Sequence, residues 1–369
     1  MRKKKVMSIF GTRPEAIKMA PVVQELEKNA DQFESIVVVT AQHREMLDQV
    51  LDIFKITPDY DLDIMKQNQT LSEMTSRVLM ALDEILSQEK PDIVLVHGDT
   101  TTSFVASLAA FYHQIKIGHV EAGLRTWDKY APYPEEMNRQ MTDCLADVYF
   151  APTELSRENL LKSPINPEKI FVTGNTVVDA IQQTTLLGFT HPVSQKLKKD
   201  TKKILLTMHR RENLGKPMEN VFFAVQEIVE KNNDVEVIYP VHPNPKVQEM
   251  ARKILGHLSQ VHLIEPLDVV DFHNCMATVD FIISDSGGVQ EEAPSVGKKV
   301  LVLRDKTERP EGLETGVLKL IGTQKEKVYN EIDELLAEVG VTHDDKLKNN
   351  PYGQGDASQK IIEILSEIL

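Results

Sequence analysis

Short apolar runs rich in β-branched residues alternate with helical patterns from one end of this chain to the other. Such alternation is typical of α/β proteins with parallel sheets. The runs 36–39 and 93–96 are apolar at every position, as expected for strands that helices cover on both faces. The predicted strands are 6–10, 35–40, 93–97, 115–120, 148–151, 204–208, 235–241, 281–284 and 300–303.

The chain is too long for one domain of ordinary size, because 369 residues exceed what a single hydrophobic core usually serves. The polar, lysine-rich stretch 190–203 has no apolar periodicity and separates two alternating series. A second break at 349–355 precedes an amphipathic pattern that carries Ile361, Ile362 and Leu365. We therefore expect two α/β domains, a surface connection near 190–203 and a C-terminal helix.

Composition excludes several classes of partner and compartment. The 42 basic and 56 acidic side chains give a formal net charge of −14, which argues against nucleic acid or an anionic membrane as the main partner. Cys144 and Cys275 form no Cys-x-x-Cys pair, and we expect both to be buried free thiols. The histidines and acids show no metal-ligand spacing, so no metal is expected. No stretch is apolar enough to span a bilayer or resembles a cleaved signal, and we expect a cytoplasmic protein.

Two junctions between a strand and a helix have the composition of anion sites. In 281–292 an apolar run ends at small residues, which let a phosphate approach the first N–H groups of a helix, where the helix dipole favours negative charge. In 6–18, Gly11 makes the turn and Pro14 suits the first helical position. The residues concerned are Ser284, Ser286, Gly287 and Gly288 in the first junction and the cations Arg13 and Lys18 in the second. Two such sites predict one diphosphate held between two lobes.

Several acidic side chains follow predicted strands, where open α/β sheets bind ligands. Asp99 is a candidate, although it could instead cap the helix that begins near residue 100. Glu135 and Glu136 follow Pro134 and could do no more than stabilise a helix dipole. Glu121 lies between an apolar strand and Ala-Gly, where a carboxylate is partly removed from water, as a general acid or base requires.

Two histidines are further candidates. His209 leaves a predicted strand beside Arg210 and Arg211, a setting that suits phosphate binding better than a solvated helix start. His242 could instead be a structural histidine.

Seven motifs in order closely resemble the non-hydrolysing UDP-N-acetylglucosamine 2-epimerases, and the resemblance spans nearly the whole chain. One Gly-Gly turn would be a weak signal, whereas this many motifs in sequence is a strong one. They are Gly-Thr-Arg-Pro-Glu-Ala-Ile-Lys at 11–18, His-Gly-Asp-Thr at 97–100, His-Val-Glu-Ala-Gly-Leu-Arg-Thr at 119–126, Pro-Glu-Glu-Met-Asn-Arg at 134–139, His-Arg-Arg-Glu-Asn at 209–213, Ser-Asp-Ser-Gly-Gly-Val-Gln-Glu-Glu at 284–292 and Thr-Glu-Arg-Pro-Glu at 307–311.

The resemblance implies a GT-B fold, with two Rossmann-like domains facing a central cleft. The N-terminal Rossmann-like domain is predicted at 1–172, with a C-terminal helix at 353–369 packing back on it, and the C-terminal, UDP-binding domain at 173–352. The resemblance also implies a homodimer without a cofactor.

The implied reaction is reversible epimerisation of UDP-N-acetylglucosamine (UDP-GlcNAc) to UDP-N-acetylmannosamine (UDP-ManNAc), which supplies surface polysaccharide biosynthesis. The hydrogen on carbon 2 is not next to a carbonyl, so no ordinary side chain removes it from the intact substrate. Departure of UDP gives the ring oxocarbenium character and acidifies that hydrogen, which permits elimination to a 2-acetamidoglucal and re-addition. The reaction therefore needs carboxylates near carbon 2 and cations or amide donors on the diphosphate.

Matching motif positions imply roles for individual residues. The predicted catalytic residues are Asp99, Glu121, Glu135 and His209. The predicted substrate-binding residues are Arg13, Lys18, Phe272, Ser286, Gly287, Gly288, Glu292 and Arg309. Leu267 replaces the glutamine that usually contacts uracil, and a backbone group is expected to substitute for it. A second site, where the substrate acts as an allosteric activator, is implied at Gln42, His43, Gln69, Glu136, Arg210 and His242.

Three other functions compete with this one. A GT-B glycosyltransferase would hold the same diphosphate but pass the sugar to an acceptor, and a hydrolysing epimerase would release UDP and free sugar. A noncatalytic nucleotide-sugar sensor is disfavoured. Three carboxylates beside a diphosphate weaken its binding, and a protein that only binds the nucleotide sugar has no need of them.

Overall fold

The computed structural model describes residues 2–40, 44–66, 69–185, 191–307, 309–340 and 350–369, the side chains of 44 and 45 excepted. The chain forms two compact units. Unit 1 comprises Met1–Ala180 and Tyr352–Leu369, and unit 2 comprises Ile181–Pro351. Each unit contains one parallel sheet with helices, so the prediction of two α/β domains is confirmed. The domain limits given above, at 172 and 352, stay a prediction.

The sheet of unit 1 is built from seven parallel strands. They are β1 (Lys4–Phe10), β2 (Phe33–Val39), β3 (Tyr60–Asp61), β4 (Ile93–His97), β5 (Lys116–Val120), β6 (Val148–Ala151) and β7 (Ile170–Val172). Their order in the sheet is β3-β2-β1-β4-β5-β6-β7. The predicted all-apolar runs fall in β2 and β4, and both runs are buried.

The helices of unit 1 connect these strands. They are α1 (Arg13–Lys28), α2 (Arg44–Phe54), α3 (Leu71–Glu89), α4 (Thr101–Tyr112), α5 (Glu135–Leu145) and α6 (Glu154–Leu161), with a short 3-10 helix at Pro167–Lys169. The next helix, α7 (Thr176–Thr185), follows the last strand of unit 1, and its residues from Ile181 onward belong to unit 2. Helix α1 begins where the sequence predicts, because Thr12 caps it, Pro14 stands in its first turn and Glu15 completes a capping box.

Unit 2 repeats this plan with six parallel strands. They are β8 (Lys202–Thr207), β9 (Val235–Pro240), β10 (Val261–Ile264), β11 (Phe281–Ser284), β12 (Lys299–Val302) and β13 (Leu318–Leu320). Their order is β10-β9-β8-β11-β12-β13. The helices are α8 (Lys216–Lys231), α9 (Pro245–Leu255), α10 (Val269–Thr278), α11 (Gly287–Glu292), α12 (Glu311–Glu314) and α13 (Lys325–Glu338), with 3-10 helices at Pro192–Gln195, Arg211–Asn213 and Ala293–Val296.

The last helix, α14 (Ala357–Ile368), belongs to unit 1 and packs against α1. Its buried side chains include Ile361, Ile362 and Leu365, which share one face of the helix as the amphipathic pattern indicates. The C-terminal residues therefore complete the core of the unit that the N-terminal residues begin.

Two expectations from sequence differ from the structure. The described part of the predicted connection, residues 191–203, does not lie at the passage between units, because the chain leaves unit 1 within α7 at Ala180, and Val193 is buried in the core of unit 2. Cys275 is buried, and burial raises the pKa of its thiol to about 12. Cys144 is exposed on α5, so the expectation of a buried thiol is wrong there.

Among the residues that the structure describes, no helix combines the length and the apolar character needed to cross a membrane.

Candidate active site

The predicted site residues cluster where the strand order of each sheet reverses. In unit 1 the order reverses between β1 and β4, and in unit 2 between β8 and β11. Open α/β sheets bind ligands in the crevice beyond the carboxyl ends of strands at such a reversal. The loops that follow these four strands contain Gly11, Asp99, His209 and Ser286. Both predicted anion junctions therefore begin at the reversal point of their own sheet.

Glu121, directly after β5, has a largely buried carboxylate that contacts two other side chains. Its backbone is left-handed, with φ 64°, a conformation that non-glycine residues adopt uncommonly. Its Oε2 accepts from the ammonium of Lys18 and from Nδ2 of Asn175, the latter at 2.9 Å. The side chains of Glu121 and Lys18 are each 9% exposed. Lys18 thus contacts a predicted acid–base residue, in addition to the substrate-binding role that the sequence implies.

His97, the last residue of β4, faces the same carboxylate. Its Nε2 lies 3.7 Å from Oε2 of Glu121 and has no hydrogen-bond partner within the described part of the chain. Burial lowers the pKa of His97 to about 3, against the opposing effect of Glu121. His97 is therefore neutral at physiological pH, and Lys18 is the cation that contacts Glu121.

Gly98 is adjacent to Glu121 and has a backbone conformation that favours glycine. Its φ of 64° is left-handed, and a Cβ added to it would stand 3.4 Å from Oε1 of Glu121. The carbonyl oxygen of Gly98 lies 2.8 Å from Nε2 of His119. The other ring nitrogen of His119 contacts Asp143 at 2.6 Å, and Asp143 also accepts from Arg125 at 2.5 Å. Burial acts to raise the pKa of Asp143, but His119 and then Arg125 outweigh it and hold that pKa below its usual range.

Asp99 follows β4 and pairs with Arg139. An oxygen of its carboxylate lies 2.5 Å from the guanidinium, and the Asp99 side chain is 30% exposed. The helix α4 is capped by Thr100, whose hydroxyl accepts from the backbone of Ser103. The alternative interpretation of Asp99 as the helix cap is therefore wrong, and its carboxylate stays at the end of the strand.

Glu135 and Glu136 begin α5 and have different surroundings. Glu135 is the first helical residue and is partly exposed. Glu136 is fully buried and accepts from the backbone N–H groups of Thr126 and Trp127, at 3.0 and 3.1 Å. It also lies 3.2 Å from a guanidinium nitrogen of Arg139. Glu136 therefore fixes the loop that links β5 to α5. Glu135 instead lies at the first position of α5, where its side chain is partly accessible to solvent.

The turn at Gly11 and Thr12, which leads into the helix that carries Arg13 and Lys18, is organised by Glu15, a residue to which the sequence motifs assign no role. Its buried carboxylate accepts from the N–H groups of Gly11 and Thr12, at 3.0 and 2.7 Å, and from the hydroxyl of Thr100 at 2.6 Å. Burial raises the pKa of Glu15 against these donors. Because Glu15 belongs to the capping box of α1, only its helical position could have predicted this role.

Asp285 plays the corresponding part in unit 2 and was also missed. It is fully buried and accepts from the backbone N–H groups of His209 and Arg210 and from Nδ2 of Asn213, at 3.1, 2.9 and 2.9 Å. Its Oδ1 lies 3.4 Å from Nδ1 of His209. The ring of His209 stacks on that of His242, with centroids 5.5 Å apart. Burial, and next the proximity of His209, lower the pKa of His242.

The junction between β11 and α11 is held by its own serines. The hydroxyl of Ser284 lies 2.7 Å from that of Thr207 and accepts from the N–H of Ser286 at 2.9 Å. Ser284 therefore shapes the turn from beneath. A Cβ on Gly288 would stand 3.3 Å from Oε1 of Glu292, so this glycine permits the close approach of that carboxylate.

Two further predicted substrate residues of unit 2 are Arg309 and Phe272. Arg309 donates from Nε to the buried carboxylate of Glu291 at 2.5 Å. Leu267 is 6% exposed in a core cluster, and Phe272 packs against that cluster while remaining partly exposed. The side chain at 267 is therefore turned to the core and offers no polar group to a base.

The predicted regulatory residues are only partly within the described chain. Gln42 and His43 lie outside the described residues. Gln69 contacts Arg77 through its side-chain oxygen. The guanidinium of Arg210 lies 3.6 Å from Glu212. Within the described ranges, no group of three or more His, Cys, Asp or Glu side chains has the arrangement needed to hold a metal ion.

A family model and a related protein that match this chain carry the same description. The family model described as UDP-N-acetylglucosamine 2-epimerase matches residues 24–366. The UDP-N-acetylglucosamine 2-epimerase of Bacillus subtilis (strain 168) is 60% identical over 365 residues, which cover 99% of this chain and 96% of that protein.

Two solved structures resemble the chain over its whole length. The S. aureus MnaA–UDP co-structure has a TM-score of 0.91 at 54% identity and covers 99% of this chain and 96% of its own. The UDP-GlcNAc 2-epimerase from Neisseria meningitidis bound to UDP-GlcNAc has a TM-score of 0.89 at 46% identity and covers 98% and 100%. The predicted GT-B fold is confirmed by this likeness.

The burial of His97 generates a prediction about stability. The unfolded chain binds a proton at His97 below the ordinary pKa of 6.5, whereas the folded chain does not until about pH 3. The neutral ring therefore makes its full contribution to the unfolding free energy above pH 6.5, and this contribution falls as the pH decreases towards 3. Between pH 7 and 5 wild type should lose on the order of 2 kcal/mol more unfolding free energy than His97→Gln, as measured by urea denaturation. Equal losses would contradict the placement of His97.

Proposed function

Because this chain belongs to the UDP-N-acetylglucosamine 2-epimerase family, we propose that it interconverts UDP-GlcNAc and UDP-ManNAc by inverting carbon 2 of the sugar. The observation that carries the proposal is the carboxylate of Glu121. It stands at the end of β5, where Lys18 and Asn175 both contact its Oε2. The related N. meningitidis protein was solved with UDP-GlcNAc, which supports this substrate.

Proton transfer at carbon 2 is assigned to the carboxylates of unit 1. Loss of UDP gives the ring oxocarbenium character, and a carboxylate then takes the acidified hydrogen to form the 2-acetamidoglucal. UDP adds back after a proton is delivered to the opposite face, which inverts the centre. Asp99, Glu121 and Glu135 are the acid–base residues, because they lie at the carboxyl ends of β4 and β5 and at the start of α5.

Binding of the departing diphosphate is assigned mainly to residues of unit 2. His209 is the residue near the diphosphate, and Asp285 supports it by fixing its backbone and contacting its ring. The small residues at the start of α11 allow a phosphate to approach, Glu292 accepts from the ribose, and Phe272 lines the uracil pocket. The full set assigned to UDP is Arg13, Lys18, Phe272, Ser286, Gly287, Gly288, Glu292 and Arg309. The related S. aureus protein was solved with UDP, which supports a nucleotide in this role.

Regulation and assembly follow from the family resemblance. UDP-GlcNAc also acts as activator at a second site that includes Gln69, Arg210 and His242, and the protein is a cytoplasmic homodimer that supplies surface polysaccharide biosynthesis. The stack of His242 on the catalytic His209 supports a link between the two sites. Glu136 contributes by holding residues 126 and 127, since its carboxylate is buried.

Incubation with UDP-GlcNAc alone in deuterated water tests the proposed reaction. The expected result is deuterium at carbon 2 of both UDP-sugar epimers, without accumulation of UDP. Accumulating UDP with free sugar would indicate a hydrolysing epimerase, and turnover only with an added acceptor would indicate a glycosyltransferase. Binding without any exchange would indicate a sensor. Each of these three outcomes contradicts the proposal.

Two substitutions test the assigned residues. Glu121→Gln removes the acid–base carboxylate and His209→Asn removes the imidazole, so each should lower turnover at least about 100-fold while the thermal midpoint stays near that of wild type. Matched controls at exposed positions of the same units are Glu84→Gln and His257→Asn, which should keep wild-type turnover. Full activity in either test variant would remove that residue from the mechanism.

A further inference from the structure

Asn175 contacts Glu121 from a part of the chain that none of the recognised motifs contains. It stands immediately before α7 and is 3% exposed. Its Nδ2 donates to Oε2 of Glu121 at 2.9 Å, the same oxygen that the ammonium of Lys18 contacts. A neutral amide and a cation therefore converge on one carboxylate oxygen.

The side chain and backbone of Asn175 are themselves fixed. Its Oδ1 accepts from the N–H of Val177 at 3.0 Å, which sets the rotamer and directs Nδ2 towards Glu121. Its own N–H donates to the carbonyl oxygen of Tyr352 at 2.8 Å. Behind this bond the chain is closely packed, because a Cβ on Gly353 would stand only 3.2 Å from Cα of Gly174.

A second set of bonds fastens the same region. Asp179 of α7 accepts from the N–H and the hydroxyl of Ser358 at the start of α14, at 2.9 and 2.5 Å. We call residues 174–179 and 352–358 the crossover junction. It contains the segments by which the chain leaves and re-enters unit 1. Asn175 therefore contacts Glu121 from a short loop that hydrogen bonds fasten to α7 and to the returning C-terminal segment.

A base has to be held within a small angular range to reach its proton, and donors to one oxygen set the plane of a carboxylate. Lys18 alone would not do this, because an ammonium on a flexible stem is a point charge with little directional preference. The planar amide of Asn175 supplies the direction.

We propose that Asn175 is a positioning residue for epimerisation, which orients the carboxylate of Glu121 from the crossover junction. This inference rests on the proposed function, in which Glu121 transfers a proton at carbon 2. It differs from a purely structural role, in which Asn175 would only cap α7.

Asn175→Asp separates the two roles. Aspartate has the same shape, keeps an oxygen for the N–H of Val177 and leaves the bond to Tyr352 unchanged. It replaces the donor that faces Glu121 with an oxygen. Asn175→Ser also keeps a capping oxygen, but it removes the amide N–H that reaches Glu121, without adding charge, and its shorter hydroxyl does not take the place of that group. It decides the question if the aspartate variant does not fold. Ser358→Ala removes one hydrogen bond to Asp179 and leaves the bonds of Asn175 to Glu121, Val177 and Tyr352 in place.

The measurements are kcat, KM, the thermal midpoint and the isotope effect with substrate deuterated at carbon 2. We expect kcat to fall about 10-fold or more in Asn175→Ser and further in Asn175→Asp, because a hydrogen bond to a charged group is lost and then replaced by repulsion. KM should stay within about twofold and the isotope effect should increase, since proton transfer becomes slower. Ser358→Ala should lower the thermal midpoint and keep the wild-type kcat and isotope effect.

A folded Asn175→Ser or Asn175→Asp variant with wild-type kcat and isotope effect would overturn the inference and leave the proposed function intact. A loss of kcat that only parallels a lower thermal midpoint, in these variants and in Ser358→Ala alike, would overturn it in favour of the capping role. Absence of deuterium exchange in wild type would instead remove the proposed function, and this inference with it.

Discussion

A carboxylate that is largely removed from water needs donors, and Glu121 receives them from two distant parts of the chain. Lys18 reaches it from α1 and Asn175 from the residue before α7. The left-handed backbone at Glu121, with φ 64°, persists within these contacts. In the proposed reaction, a carboxylate base requires a hydrogen that has already been acidified, and departure of UDP from carbon 1 of the sugar provides that acidification.

Two buried carboxylates, which are not among the predicted substrate-binding residues, organise loops next to predicted site residues. Glu15 binds the backbone of Gly11 and Thr12 in unit 1, and Asp285 binds the backbone of His209 and Arg210 in unit 2. Each follows the same logic, in which a carboxylate fully withdrawn from solvent is satisfied by main-chain N–H groups and thereby fixes their direction. The loops at both sheet reversals are thus set before a substrate arrives, which is the condition for electrostatic stabilisation of a leaving group.

Periodicity alone was enough to predict the parallel sheets, since apolar runs such as 93–96 permit little else than a buried strand. Motif order was enough to predict the family. The sequence could not predict Asn175, because its contact with Glu121 depends on how Tyr352 returns to the first unit, a long-range pairing that leaves no local pattern. The predicted burial of Cys144 was wrong for a related reason. It lies on α5 and is exposed there, and composition does not specify which face of a helix meets the core.

In the proposed reaction, epimerisation at carbon 2 proceeds through cleavage of the bond between carbon 1 and the diphosphate. UDP-GlcNAc carrying a heavy oxygen isotope in the bridge between carbon 1 and the β-phosphorus tests it most directly. If UDP departs and re-adds, the heavy oxygen should spread to the non-bridging positions of the β-phosphate in recovered substrate, at a rate comparable with epimerisation. Formation of UDP-ManNAc with the isotope still confined to the bridge would contradict the account.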